Sequence, residues 1–166
     1  MQWGTNVTEL LAKVLLAAGP FAGNAEKLKL YGRLEGSWTM QARLQPEPGK
    51  FVEAEGTIVF GWVLGGRAVQ DVWDLRGFFY GTTLRIYDPE IDAWHILWNE
   101  PVRQYYTHLI GRVCGEEIVQ TGKNKEGRDI RWRFTEMTDN TFRWFGEVMN
   151  PDGSWFRQSD IRARRA

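Results

Sequence analysis

From Leu34 to the end of the chain, apolar and polar residues alternate with a period of two, and turn-forming residues break the alternation at nearly regular intervals. This pattern predicts ten strands, at about 34–44, 51–62, 67–76, 81–88, 92–100, 103–113, 116–122, 128–136, 141–149 and 154–163. Turn signals such as Pro46-Glu47-Pro48-Gly49, Gly65-Gly66, Asp88-Pro89 and Asn150-Pro151-Asp152-Gly153 separate most of them. Strands that follow one another with no helix between them pair as an antiparallel meander. Ten of them on one short chain either close into a barrel or split into a sandwich. Closure removes unpaired edges and leaves room inside for a small molecule. The expected fold is therefore all-β: an antiparallel up-and-down barrel of ten strands (eight to ten) over residues 32–166, behind a short helical segment at 1–31.

The length of 166 residues fits one domain with one core. Twenty-one basic residues balance 21 acidic ones. A neutral chain lacks the basic surface that nucleic-acid binding requires, so no nucleic-acid partner is expected. The single cysteine, Cys114, excludes an intramolecular disulfide and reads as structural. Near the N-terminus Leu10, Leu11, Val14 and Leu15 form one helical stripe, with Asn6 as cap, Glu9 three residues on, and Gly19-Pro20 as the stop. Glu9 and Lys13 interrupt this apolar region and it has no basic start, which argues against a signal peptide. No run reaches the ~18 apolar residues of a membrane span. A second helix is predicted at about Asn24 to Tyr31, capped by Asn24. The segment is expected to cap the barrel or pack on its outside and to bury the leucine stripe. The expected compartment is the cytoplasm.

Leu34-Glu35-Gly36-Ser37-Trp38 resembles the Gly-x-Trp opening of the first barrel strand in lipocalins and other calycins. Tyr87-Asp88-Pro89 with Trp94 and Trp98, and the late Asp152-Gly153-Ser154-Trp155, are similar to a bacterial lipocalin-like family, the DUF1579-like group. Together these pieces span 34–165. The resemblance implies a lipocalin-like barrel in which an Arg of the last strand packs over Trp38. Arg162 matches in position, with Arg164 as the alternative.

Strand parity then assigns faces. Trp38, Met40, Ala42 and Leu44 share one face, against Thr39, Gln41 and Arg43. Ile58, Phe60 and Trp62 follow suit, as do Ile130, Trp132 and Phe134, and Phe142, Trp144, Gly146 and Val148. A three-residue loop sets Phe134 opposite Trp144. Trp94, Ile96 and Trp98 form another inward face, with Trp98 placed opposite Tyr105 and Trp94 opposite Leu109. For any one aromatic the plain reading is core. So many inward indoles are hard to pack solid, however, and an aromatic-walled cavity suits a flat or apolar ligand.

The same register puts His95 opposite His108 on the outer face. No third ligand falls nearby, so no metal is expected; the patch reads instead as an exposed or interface surface and hints at a homodimer. No inward His is available to a haem iron. On the third strand Val69, Asp71, Trp73 and Leu75 turn inward, which buries Asp71 and demands a partner. Arg85 is that partner if the loop after Asp88 has four residues, which sets Arg85 opposite Ile96 and Tyr87 opposite Trp94. A three-residue loop would turn Arg85 outward. The final turn suggests a register with Phe156, Gln158, Asp160 and Arg162 inward. Asp71 and Asp160 read first as structural ion pairs, and second as ligand-orienting or acid-base groups.

The leading functional expectation is a cavity for a small apolar or aromatic molecule. Its expected lining is Trp62, Asp71, Trp73, Arg85, Tyr87, Trp94, Trp98, Tyr105, Trp132 and Trp144. Trp38 and Arg162 are expected to be structural. The alternative is a cofactor-independent cyclase, isomerase or decarboxylase acting in the same cavity. In that case Asp71, Arg85 or Tyr105 would supply acid-base or electrostatic help. A solid-core interaction protein stands third. No cofactor is expected on any of these readings.

Overall fold

A computed structural model describes residues 6–166. Two helices, α1 (Val7–Leu15) and α2 (Ala25–Gly32), precede ten strands. These are β1 (Gly36–Glu47), β2 (Lys50–Val63), β3 (Ala68–Leu75), β4 (Phe79–Asp88), β5 (Ala93–Glu100), β6 (Tyr105–Cys114), β7 (Glu117–Lys123), β8 (Asp129–Thr135), β9 (Thr141–Met149) and β10 (Trp155–Arg165). Each strand pairs antiparallel with the next, and β10 closes on β1. The expected ten-strand barrel is the fold observed. Alternation dictates the faces: Trp38, Met40 and Ala42 are buried, while Thr39, Gln41 and Arg43 are exposed. The pairs Phe134–Trp144 and Trp132–Gly146 form as parity requires.

One end of the barrel is plugged. Helix α2 inserts Leu28 and Tyr31, both fully buried. The Tyr31 ring meets Trp94 edge-on at 4.8 Å between centroids, and its hydroxyl donates to Gln120 Oε1 at 3.1 Å. Glycines make room for this plug: a Cβ at Gly111 would lie 2.6 Å from Tyr31 Oη, and one at Gly32 would lie 2.3 Å from the Trp62 ring. Asn24 occupies the N-cap position of α2 but makes no side-chain capping bond.

Helix α1 behaves differently from the sequence expectation. Asn6 does cap it, accepting from the Thr8 N–H at 3.1 Å. The helix stops at Leu15, ahead of Gly19-Pro20, because the chain there turns extended and Leu16 bridges to Val63 at the end of β2. The Ala17 N–H donates to Trp62 O and the Leu64 N–H to Leu15 O, each at 2.9 Å. This backbone clasp fixes α1 beside the plugged end, and Leu10, Leu11 and Val14 stay exposed rather than buried. No helix among the described residues is long and apolar enough to cross a membrane.

Two expected registers are corrected. The β5–β6 hairpin turns over Pro101 to Gln104, so Glu100 pairs with Tyr105. Trp98 consequently faces Thr107, Ile96 faces Leu109 and Trp94 faces Gly111. A shift of two residues preserves the faces, but it places His95 opposite Ile110 and His108 opposite Leu97. On β10 an irregularity between Arg157 and Ser159 reverses the parity. Ile161 and Ala163 are therefore buried, whereas Asp160 faces Phe145 and Arg162 pairs across from Gln41 on the outer wall. Neither Arg162 nor Arg164 covers Trp38. Arg165 does so, with its Cζ 4.3 Å from the indole centroid.

Candidate functional site

At the end opposite α2, the hairpins β1–β2, β3–β4, β5–β6, β7–β8 and β9–β10 surround a cavity of about 450 Å³. Its wall follows from inward parity on four strands. Trp73 of β3 lies 5.5 Å from Trp144 of β9, which lies 5.7 Å from Trp132 of β8. Trp132 lies 6.2 Å from Trp98 of β5, and Trp98 lies 6.0 Å from Phe79 of β4. These tilted and edge-on rings form a continuous arc of four indoles and a phenyl. Gly81 allows the arc to close in, because a Cβ there would sit 2.6 Å from the Trp98 ring.

Arg85 lines the inner part of the cavity and is 2% exposed. The loop after Asp88 has four residues, so Arg85 pairs with Ile96 and Tyr87 with Trp94, and Arg85 points inward. Its guanidinium is ion-paired with Asp71, which is equally buried. The other Asp71 oxygen accepts the Thr83 N–H at 2.8 Å. Three rings flank the guanidinium carbon: Tyr31 at 5.1 Å, Phe60 at 5.5 Å and Phe134 at 5.8 Å. A buried charge of this kind is tolerated because it is paired and faced by aromatic π clouds.

Tyr105 stands at the mouth. Burial, reinforced by the nearby Glu126 carboxylate, pushes its phenol up to about 12. Arg103 lies beside it, held by Glu100 at 3.0 Å. Glu100 is fully buried and also accepts the Val102 and Arg103 N–H groups at 3.0 and 3.1 Å, which fixes the β5–β6 turn. Parity alone places Glu100 on the face of Trp98, so this residue was legible in the sequence and was missed. Phe78, Phe79 and Thr83 also border the cavity without having been expected there.

Six expected lining residues therefore meet: Trp73, Arg85, Trp98, Tyr105, Trp132 and Trp144. The other four do not border the cavity. Asp71 sits behind Arg85. Trp62, Tyr87 and Trp94 lie at the plugged end, where α2 fills the lumen. There Trp62 donates to Glu35 at 2.9 Å, and Trp94 packs between Tyr31 and Tyr87. Parity gives the face of a residue but not its height in the barrel.

On the outer wall His95 and His108 are diagonal neighbours, with Nδ1 and Nε2 2.9 Å apart. His95 Nε2 reaches Asp88 at 3.0 Å, and this contact holds the Asp88 carboxyl below its ordinary value. Among the described residues no group of three or more His, Cys, Asp or Glu is placed to hold a metal ion. Asp160, turned outward, is clamped by Arg143 at 2.6 Å. Cys114 is exposed at the end of β6.

No protein-family model matches the chain, and a search of curated proteins finds no relative. Among solved structures the barrel is similar to the crystal structure of Rv2717c from M. tuberculosis. The likeness has a TM-score of 0.61 at 12% identity, over 91% of this chain and 99% of that one. At that identity the likeness speaks for the barrel alone.

Proposed function

We propose that the protein binds a small apolar or aromatic molecule in the mouth cavity, in the manner of the lipocalin-like proteins its sequence resembles. The observation that carries this reading is the arc of Trp73, Trp144, Trp132 and Trp98 around a space of about 450 Å³. Ligand pockets of this size bury most of a small ligand against aromatic walls, with few polar groups. A solid-core barrel would have filled the space with side chains, since protein interiors pack at crystal-like density.

The same geometry weighs against the catalytic alternative. An acid or base needs a free proton-accepting or proton-donating atom beside the substrate. Both Asp71 oxygens are engaged, by Arg85 and by the Thr83 N–H. The Tyr105 phenol, pushed up to about 12, stays protonated at neutral pH and so offers no base. Neither Asp71 nor Tyr105 then offers a free base, which suits a carrier or sensor.

The test is native mass spectrometry of protein purified from its own host, followed by denaturing release. A retained molecule of low polarity is the expected result. Titration with a panel of flat apolar compounds should also quench tryptophan fluorescence, and Trp132→Ala should weaken that quenching. An empty protein whose fluorescence responds to no compound would overturn the proposal.

A further inference from the structure

The cavity is polar at its open end and sealed at its inner one. The side chains within reach of a ligand's polar group stand at the hairpin turns of the rim: Gln45 ahead of β1–β2, Arg103 and Tyr105 at β5–β6, and Asn124, Lys125 and Glu126 between β7 and β8. These side chains are half-buried or exposed, so water reaches that level. At the inner end Asp71 has both oxygens engaged, by Arg85 and by the Thr83 N–H. Trp73 Nε1 and Arg85 Nε have no partner, but they also have no accessible surface, so a ligand in the cavity does not meet them. Between the two ends the wall is indole, with Thr83 and Ser159 as its hydroxyls.

This gradient orients whatever binds. A polar group carried to the inner end loses its water and finds little to replace it, whereas one left at the rim keeps water and gains protein partners. Apolar surface gains most where water is excluded, against Trp98, Trp132 and Trp144. The rim has no net charge with which to select a charged head. Arg103 is held by the buried Glu100 at 3.0 Å, and Lys125 lies 4.0 Å from Glu126. What the rim offers is a donor. The half-buried Tyr105 hydroxyl bonds to no protein group among the described residues, and it stays protonated.

We infer that the cavity takes a flat amphiphile with one uncharged polar head, which enters body first and leaves the head at the rim, where the Tyr105 hydroxyl donates to it. This rests on the binding reading above and adds the ligand's single polar end, its orientation and Tyr105 as the contact that selects it. A molecule polar at both ends does not fit, because the inner end is blind. Beyond Arg85 the lumen is filled by α2, whose Tyr31 ring lies 5.1 Å from the Arg85 guanidinium carbon.

Orientation is read from 2-naphthol, whose excited state gives up its proton to water. With the full chain in excess and excitation beyond the tryptophan band, bound 2-naphthol should emit in part as the naphtholate, because its hydroxyl is wet. That readout needs only the wild-type chain. By calorimetry, Tyr105→Phe should weaken 2-naphthol about threefold or more and leave naphthalene unchanged, and 2-naphthoate should bind no more tightly than 2-naphthol. The tetraethylene glycol ether of 2-naphthol should bind within about threefold of 2-methoxynaphthalene, since its chain leaves through the mouth, and the 2,6-bis-ether about a hundredfold more weakly. Emission from the neutral naphthol alone would overturn the orientation and leave the binding function standing. Equal effects of Tyr105→Phe on naphthol and naphthalene would remove Tyr105 from the head. Tighter binding of the naphthoate would overturn the uncharged head, and tight binding of the bis-ether the single polar end. Failure of every probe to bind would overturn the inference together with the reading beneath it.

Discussion

The guanidinium of Arg85 is ion-paired with the Asp71 carboxylate beneath an aromatic cavity, and neither residue is more than 2% exposed. The pair joins β3 to β4 from inside the barrel, because Asp71 sits opposite Thr83 and Arg85 opposite Val69. It holds Arg85, which borders the cavity, in a fixed, neutralised state.

Removing one partner of this pair should cost much more than removing both. Asp71→Ala leaves Arg85 buried and uncompensated, and should destabilise the protein by about 3–5 kcal/mol in urea unfolding. The double variant Asp71→Leu/Arg85→Met should recover most of that loss, since apolar groups of similar volume replace the pair. A single-site cost under about 1 kcal/mol would mean that water reaches the pair.

Arg165, not Arg162, should carry the seal over Trp38. Arg165 stacks on the indole and donates to Glu35 O at 2.6 Å, Asp139 O at 2.9 Å and Arg33 O at 3.2 Å. Arg165→Ala removes a cation–π contact and ties across three segments, and should cost roughly 1–3 kcal/mol. Arg162→Ala, at an exposed outer-wall position, should stay within about 0.5 kcal/mol of wild type. Thermal denaturation of the two variants side by side separates the roles.

Acid should weaken the barrel through Glu147. Burial by itself would raise its carboxyl, but hydrogen bonds from Arg133 and Arg131 outweigh that and hold it below its ordinary 4.5. A carboxyl with a depressed folded-state value contributes stability that is fully present above its unfolded value and is lost as the pH falls through the folded one. Asp160, held down by Arg143, acts in the same direction. The urea midpoint should therefore be level near neutrality and fall once the pH drops below about 4.5. Glu147→Gln should lower the midpoint at pH 7 and make the acid fall shallower. An unchanged pH profile would remove Glu147 from this role.

The plug should be sensitive to a single methyl group. Gly111→Ala would drive a Cβ to 2.6 Å from Tyr31 Oη, and the neighbouring Ile96 side chain is only 3.2 Å from the same point. We expect a loss of about 1–3 kcal/mol, as for other overpacked cores. Tyr31→Phe should cost a similar amount for another reason, since it leaves the Gln120 carbonyl without its donor. Pairing Gly111→Ala with Tyr31→Phe should cost less than the sum of the two, because the second change removes the clashing atom.

Much of the cavity wall could be read from strand parity. Trp73, Trp98, Trp132 and Trp144 fall on inward positions for any loop lengths that differ by two, because a shift of two residues leaves every face unchanged. The same insensitivity explains what was misread. The β5–β6 pairing slipped by two without disturbing Trp98, yet it moved His95 and His108 from opposite to diagonal. A change of one residue is different. The irregularity after Arg157 exchanged the faces of β10, and Asp160 and Arg162 went to the outer wall. Glu147 drew no attention because its odd position reads as solvent-facing. Only the lateral pairing of β8, β9 and β10 brings Arg131, Arg133 and Arg157 over it.

The sequence by itself determined the strand count and the alternation of inward indoles and outward charges, and the pairing of β10 with β1 decided for a closed barrel over a sandwich. The sequence also turned Asp71 inward, but the side taken by Arg85 hung on the loop after Asp88, which the structure fixes at four residues. Tertiary structure decided the height of each residue along the barrel axis, and with it which end is full and which is open. Helix α2 enters beside Trp62, Trp94 and Gly111, and so fills the end where those residues lie. Burial at that end is a property of ten strands closing around one tyrosine, and no single strand's pattern encodes it.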